Sequence, residues 1–230
     1  MGFYINNFRP MKEDILEQLV EDYFVDSKGF FVKHNIRFRP DREHEDYISN
    51  RDSVHSDIDI LALNATAKEG PERVHVATCK SWQGGFDPKK WRAEIEKEAE
   101  YNERSDRFKP RERWKSFREL VSDKWMKAFL EKIEEETGQR DFTYTIAVTK
   151  LNGTKEERRA LEESEILKAR FKNRESNVII KFLTLSDIIE RYGERMEVKD
   201  TPSSLEATDV GRLLQLIHSA GLRIKKEEAK

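Results

Sequence analysis

A single cysteine, Cys79, stands in this chain of 230 residues, so no intrachain disulfide can form, which fits a reducing compartment. No apolar run is long enough to span a bilayer. The first residues, MGFYINNFRP, lack the short apolar core of a secretion signal. Asn6 also breaks the myristoylation pattern that Gly2 would open. A cytoplasmic location with no membrane partner is therefore expected. The histidines, His34, His44, His55, His75 and His218, show no zinc-site spacing, which leaves zinc-finger and His-based metal nucleases without support. An excess of one charge is missing too. There are 43 Lys and Arg against 45 Asp and Glu, a formal net charge of −2. A nucleic-acid binder with this balance must gather its cations on one face. Internal repeats and low-complexity tracts are absent.

What the chain has is charge of both signs, at 38% of residues against 37% hydrophobic. This composition suits helices laced with ion pairs over one sizeable core. Ile15, Leu16, Leu19, Val20, Tyr23 and Phe24 recur at helical spacing and predict a first helix over about 12–25. Phe30 to Phe38 predicts a strand, and residues 39–56 a long, charged loop. DIDILALN (57–64) and RVHVATCK (73–80) predict two further strands, with an antiparallel hairpin as their cheapest pairing. Asp87 and Pro88 open a helix expected to run to about Arg104. A second long helix is expected over Pro110 to about Thr137, ended by Gly138. FTYTIAVT (142–149) and VIIKFL (178–183) predict two more strands. Between them Thr154 and Glu157 open a helix to about 172. Short helices at 185–192 and about 209–220 complete an α/β domain with a mixed central sheet flanked by helices.

Side chains alternate across a strand. Asp57, Asp59 and Leu61 are thus expected on one face of their strand, and Ile58, Ile60 and Ala62 on the other. Thr78 and Lys80 share a face of the next strand, with Ala77 and Cys79 pointing away. If the paired strands bring Asp59 and Lys80 together, a carboxylate and an ammonium meet on a half-buried sheet. Such a pair needs a reason, because unpaired buried charge is costly. Phosphodiester hydrolysis supplies one: the carboxylate holds a metal that activates water, and the lysine steadies the developing charge. The alternative is a surface ion pair at a sheet edge. Asp57 is read as a second metal ligand or a strand-start cap. Cys79 reads as a small apolar filler rather than a nucleophile.

DIDILAL followed by VATCKSW resembles the core of the PD-(D/E)XK nucleases, and within them the Mrr-like restriction endonucleases. LEQLVEDYF with KGFFV resembles the opening of the Mrr-like and archaeal Holliday-junction-resolvase groups. YTIAVTK and IIKFLTLSDIIERY resemble the remaining core strands and closing helix. The resemblance covers about 12–105 well and 140–192 loosely. It implies a restriction-endonuclease-like core over 1–200 with a helical insertion at about 106–138, and a C-terminal helical tail, 201–230, packed on the same domain. It further implies a Mg²⁺-dependent DNA endonuclease, with Mn²⁺ as a substitute. By analogy with nucleases that cut both strands, a homodimer is also expected. Asp59, Lys80 and the helix glutamate Glu17 would be the catalytic groups, and the Cys79 carbonyl would complete the metal shell. The chain departs from the pattern at Thr78, where Glu or Gln belongs. In some restriction enzymes that acid sits on the following helix, and Glu94 is the matching residue here. The departure keeps a second reading open, a catalytically inactive relative that binds nucleic acid or a protein. For DNA contacts the sequence offers Trp82 and Gln83 before the Gly84-Gly85 turn, then Lys89, Lys90 and Arg92 in the helix behind. The basic stretch continues through Arg104, Arg107, Lys109, Arg111, Arg113 and Lys115, interleaved with Trp91, Phe108 and Trp114.

Overall fold

The computed structural model describes residues 14–27, 29–97, 113–197 and 209–221. The basic positions 104–111 and Phe108 lie outside them. Asp14 opens the first helix, α1 (Ile15–Val25), by accepting the Leu16 N–H at 2.8 Å. Strand β1 (Phe30–Phe38) follows. The segment expected as a plain loop contains a one-turn helix, α2 (Ser49–Asp52). It leads into β2 (Ser56–Asn64) and β3 (Val74–Lys80). Asp87 caps α3 (Pro88–Ile95) through the Lys90 N–H. That helix stops at Ile95, short of the expected Arg104.

The single helix expected over 110–137 is instead three pieces. They are a 3₁₀ turn at Arg113–Phe117, α4 (Arg118–Val121) and α5 (Asp123–Thr137). Ser122 breaks the run with extended dihedrals, φ −118° and ψ 122°. Gly138 ends α5 in the left-handed conformation, φ 75°, which glycine adopts without a Cβ penalty. After β4 (Phe142–Val148), the helix expected to 172 is likewise split, into α6 (Lys155–Glu162) and α7 (Glu165–Lys172). Ser164 caps the second part through the Leu167 N–H. Strand β5 (Val178–Thr184), α8 (Leu185–Glu197) and α9 (Asp209–Ser219) complete the order. The last helix packs against α1 and α8.

The five strands form one mixed sheet in the order β1-β2-β3-β4-β5. The first three pair antiparallel, and β3-β4 and β4-β5 are parallel. The result is an α/β protein with helices on both faces. The larger core, with Trp125, Phe129 and Ile133 of α5, covers one face, and a smaller one under α1 and α8 covers the other. Among the described residues no helix is long and apolar enough to cross a membrane.

The alternation expected for β2 fails at one place. Ile58 packs with Leu61 in the α5-side core, while Ile60 and Ala62 pack under α1. The partner strand switches in step: Phe30 and Val32 pack on the α1 side, Ile36 and Phe38 on the other. The switch centres on Asn35, a non-glycine residue at φ 53°, a conformation that asparagine tolerates better than most. The ladder is interrupted there, between His34↔Ile60 and Ile36↔Ile58. Asp59 stands opposite, at the crossover.

Candidate active site

The β2-β3 ladder ends at Ile60↔Ala77, and the strands part beyond it. Asp59 fills the fork. Its Oδ2 accepts the Cys79 N–H at 2.6 Å and the Thr78 hydroxyl at 3.3 Å. The carboxylate thus takes a backbone N–H that the ladder leaves unmet, consistent with the rule that buried amides find partners. Lys80 donates to the Thr78 Oγ1 at 2.7 Å, and its ammonium lies 5.2 Å from the Phe117 ring centroid. Asp59, Thr78 and Lys80 open on one cavity of about 490 Å³.

A further acid reaches this cavity from α4. Glu119 is only 7% exposed and accepts the Tyr144 hydroxyl at 2.5 Å. Burial pushes both the Asp59 and the Glu119 carboxyl above the usual range, and the Lys80 ammonium counters the rise in each. Burial beside Glu119 also raises the Tyr144 phenol well above its ordinary value, so it donates rather than ionises. Lys115 and Arg118 add cations to the wall, while Trp82 and Trp91 supply an aromatic side.

Two clamps hold the wall. The Arg170 guanidinium on α7 donates to the carbonyls of Ile95 (2.7 Å) and Glu96 (2.6 Å) at the end of α3, and of Leu120 (3.0 Å) on α4. It thereby satisfies carbonyls left open at two helix ends. Lys124 and Asp52, each with a side chain only 2% exposed, form a 2.6 Å ion pair. Lys124 also donates to the Asp46 carbonyl at 2.6 Å, and Asp52 accepts the Ile48 N–H at 2.7 Å. The pair pins the segment before β2 to α5, and that segment ends at His55, which lines the cavity with Asp57 of β2.

The other expected residues fall at varying distances from this centre. The Asp57 side chain is 47% exposed and 3.9 Å from Arg37. Cys79 turns its thiol to the α1 side, where burial pushes it well up, and Asp59, Glu17 and Asp14 add to the rise. The group that Cys79 extends to Asp59 is its N–H. Glu17 is half-buried on α1, near that thiol, and Glu94 is half-buried on α3. Neither is among the cavity-lining residues. Gln83, Lys89 and Lys90 are exposed. Lys89 lies 3.9 Å from Glu157, and Arg92 pairs with Glu96 at 2.8 Å. Of the expected DNA contacts, Trp82, Trp91 and Lys115 line the cavity. Glu119 and Tyr144 escaped the sequence reading. The available signal was local: Glu119 sits between Phe117 and the apolar pair Leu120-Val121, a poor setting for a solvated acid.

Among the described residues no group of three or more His, Cys, Asp or Glu is placed to form an all-protein metal cage. Comparison of the chain with models of known families, with characterised proteins and with solved structures finds no match.

Proposed function

We propose that this protein is a metal-dependent DNA endonuclease of restriction or repair type, built on a restriction-endonuclease-like core and resembling the Mrr-like group of PD-(D/E)XK nucleases. One observation carries the reading: Asp59 and Lys80, from adjoining strands, open on the same cavity at the fork where those strands part. The donors suit a hard divalent cation, Mg²⁺ with Mn²⁺ in substitution. Asp59 and Glu119 would hold it through carboxylate oxygens, and one or two carboxylates plus substrate phosphate is a common set for Mg²⁺. Burial raises both carboxyls, and a bound cation would favour their charged forms. When bound, the ion would polarise a phosphoryl oxygen and ease deprotonation of a water.

The chain's own residues do the rest. The Cys79 N–H fixes the orientation of the Asp59 carboxylate. The Tyr144 hydroxyl does the same for Glu119. Lys80, steadied by Thr78, presents a fixed cation to the charge that develops on phosphate, where preorganisation is most effective. Lys115 and Arg118 draw the anionic backbone to the rim.

Thr78, a hydroxyl where the resemblance calls for Glu or Gln, favours a second reading, an inactive relative that binds nucleic acid or a protein. A Mn²⁺ titration on plasmid and on single-stranded DNA separates the two, run beside Lys80→Ala and Asp59→Asn. Cleavage that rises with the ion and drops about 100-fold or more in Lys80→Ala is expected, the scale of losing one preorganised charge-stabilising donor. Cleavage indifferent to Lys80→Ala would refute the site. DNA bound but uncut in both Mg²⁺ and Mn²⁺ selects the second reading.

A further inference from the structure

Beside the carboxylates and Lys80, the cavity has a wall that hydrolysis alone does not require. Trp82 and Trp91 both line it and stack on each other, with centroids 4.8 Å apart and planes 26° apart. Both are half-buried. Phe86 backs the pair, its ring parallel to Trp82 within 7°, and Phe117 meets both edge-on.

The loop carrying Trp82 is held rigidly. Phe86 bridges to the chain beyond β4, donating to the Lys150 carbonyl at 2.9 Å and accepting from the Asn152 N–H at 2.7 Å. The Asn152 side chain donates to the Gly84 carbonyl at 2.7 Å. Gly85, at φ 77°, has no room for a side chain, since a Cβ would come within 2.8 Å of Asn152. The ring pair is therefore fixed in place before any ligand arrives. Lys80, Lys115 and Arg118 stand around the same space.

An aromatic stack beside cations, in a cavity of about 490 Å³, matches a nucleobase with its phosphate, and the volume falls within the roughly 300–1,000 Å³ of ligand pockets. A duplex offers its grooves base edges, not base faces. A ring platform can act only on a base taken out of the stack. We infer that the Trp82–Trp91 wall receives an unpaired nucleobase, so that the substrate is single-stranded or locally unpaired nucleic acid rather than intact duplex. This rests on the nuclease reading and narrows its substrate class.

The test measures binding, apart from cleavage. The full chain in EDTA is titrated into a fluorescently labelled oligothymidylate and into a duplex of equal length, at matched salt. Trp82→Leu, Trp91→Leu and the corresponding Phe variants are run alongside, each with a thermal melt. Preference for the single strand is expected. The Leu variants should bind it roughly 5- to 100-fold more weakly, the range for losing one stacked base, and the Phe variants, which keep a ring face, should recover most of that. If a Leu variant fails to fold, quenching of tryptophan emission in the wild-type chain by oligothymidylate, reduced in the Phe variants, gives the same answer. Duplex bound as tightly as single strand, with well-folded Leu variants unchanged, overturns the inference and leaves the nuclease reading standing. Failure to bind either form overturns the inference, and the Mn²⁺ cleavage titration decides the nuclease reading separately.

Discussion

Lys124→Met tests the buried ion pair most directly. The variant keeps the apolar stem and removes the ammonium, leaving the Asp52 carboxylate 2% exposed with no counter-charge and the Asp46 carbonyl without its donor. Removing one partner of a buried pair costs about 3–5 kcal/mol, mostly the penalty on the charge left behind. In a chain of 230 residues that corresponds to a fall in Tm of about 10 °C, taking roughly 2–4 °C per kcal/mol. Guanidinium denaturation at constant m-value measures it. The double variant Lys124→Met/Asp52→Asn removes both charges, and the amide oxygen can still accept from the Ile48 N–H. It should recover more than half of the loss. A single variant within about 1 kcal/mol of wild type, or a double variant no better than the single, would show that the pair carries no such energy.

Glu119→Gln should leave the protein at least as stable as wild type at neutral pH while abolishing cleavage. A carboxyl raised above its unfolded value binds more protons folded than unfolded. It therefore costs stability as pH rises from about the unfolded value of 4.5 through the raised one. Gln removes that charge and keeps an acceptor for Tyr144. Chemical denaturation across the acid range, with a flatter rise in cost for the variant, checks the sign, and a destabilised Glu119→Gln would contradict it. Arg170→Met removes three donated bonds at the ends of α3 and α4. It should cost about 2–4 kcal/mol, allowing for water replacing some of them, with a larger proportional loss of cleavage than Lys168→Met, whose partner is the exposed Glu165.

The strands were legible because each is a short β-branched or aromatic run bounded by turn residues, and all five appear near their expected limits. That Asp59 and Lys80 open on one cavity was legible only in part, since the hairpin was expected but its ladder ends at Ile60↔Ala77 and register does not align the two residues. Helix breaks were not legible. The stripe through Phe117, Leu120, Val121, Trp125 and Phe129 keeps helical spacing across Ser122, whose extended backbone follows from tertiary packing rather than from local preference. Glu119 was hidden for a related reason: its partner Tyr144 is on another element 25 residues away, and no local pattern encodes that contact. The displacement of Ile58 from the face of Ile60 follows from Asn35 on the neighbouring strand, a backbone effect that side-chain alternation does not reveal.

The acceptor at Asp59 has two duties. The same oxygen that ties off the end of the β2-β3 ladder belongs to the carboxylate facing the cavity. Position 59 therefore tolerates loss of charge far better than loss of shape. Asn can still close the fork, whereas Ala would leave the Cys79 amide stranded and let the two strands fray into the pocket. A longer acid would have to push the strands wider. A descendant of this chain that loses the charge should sooner keep an amide at this position than a small apolar residue.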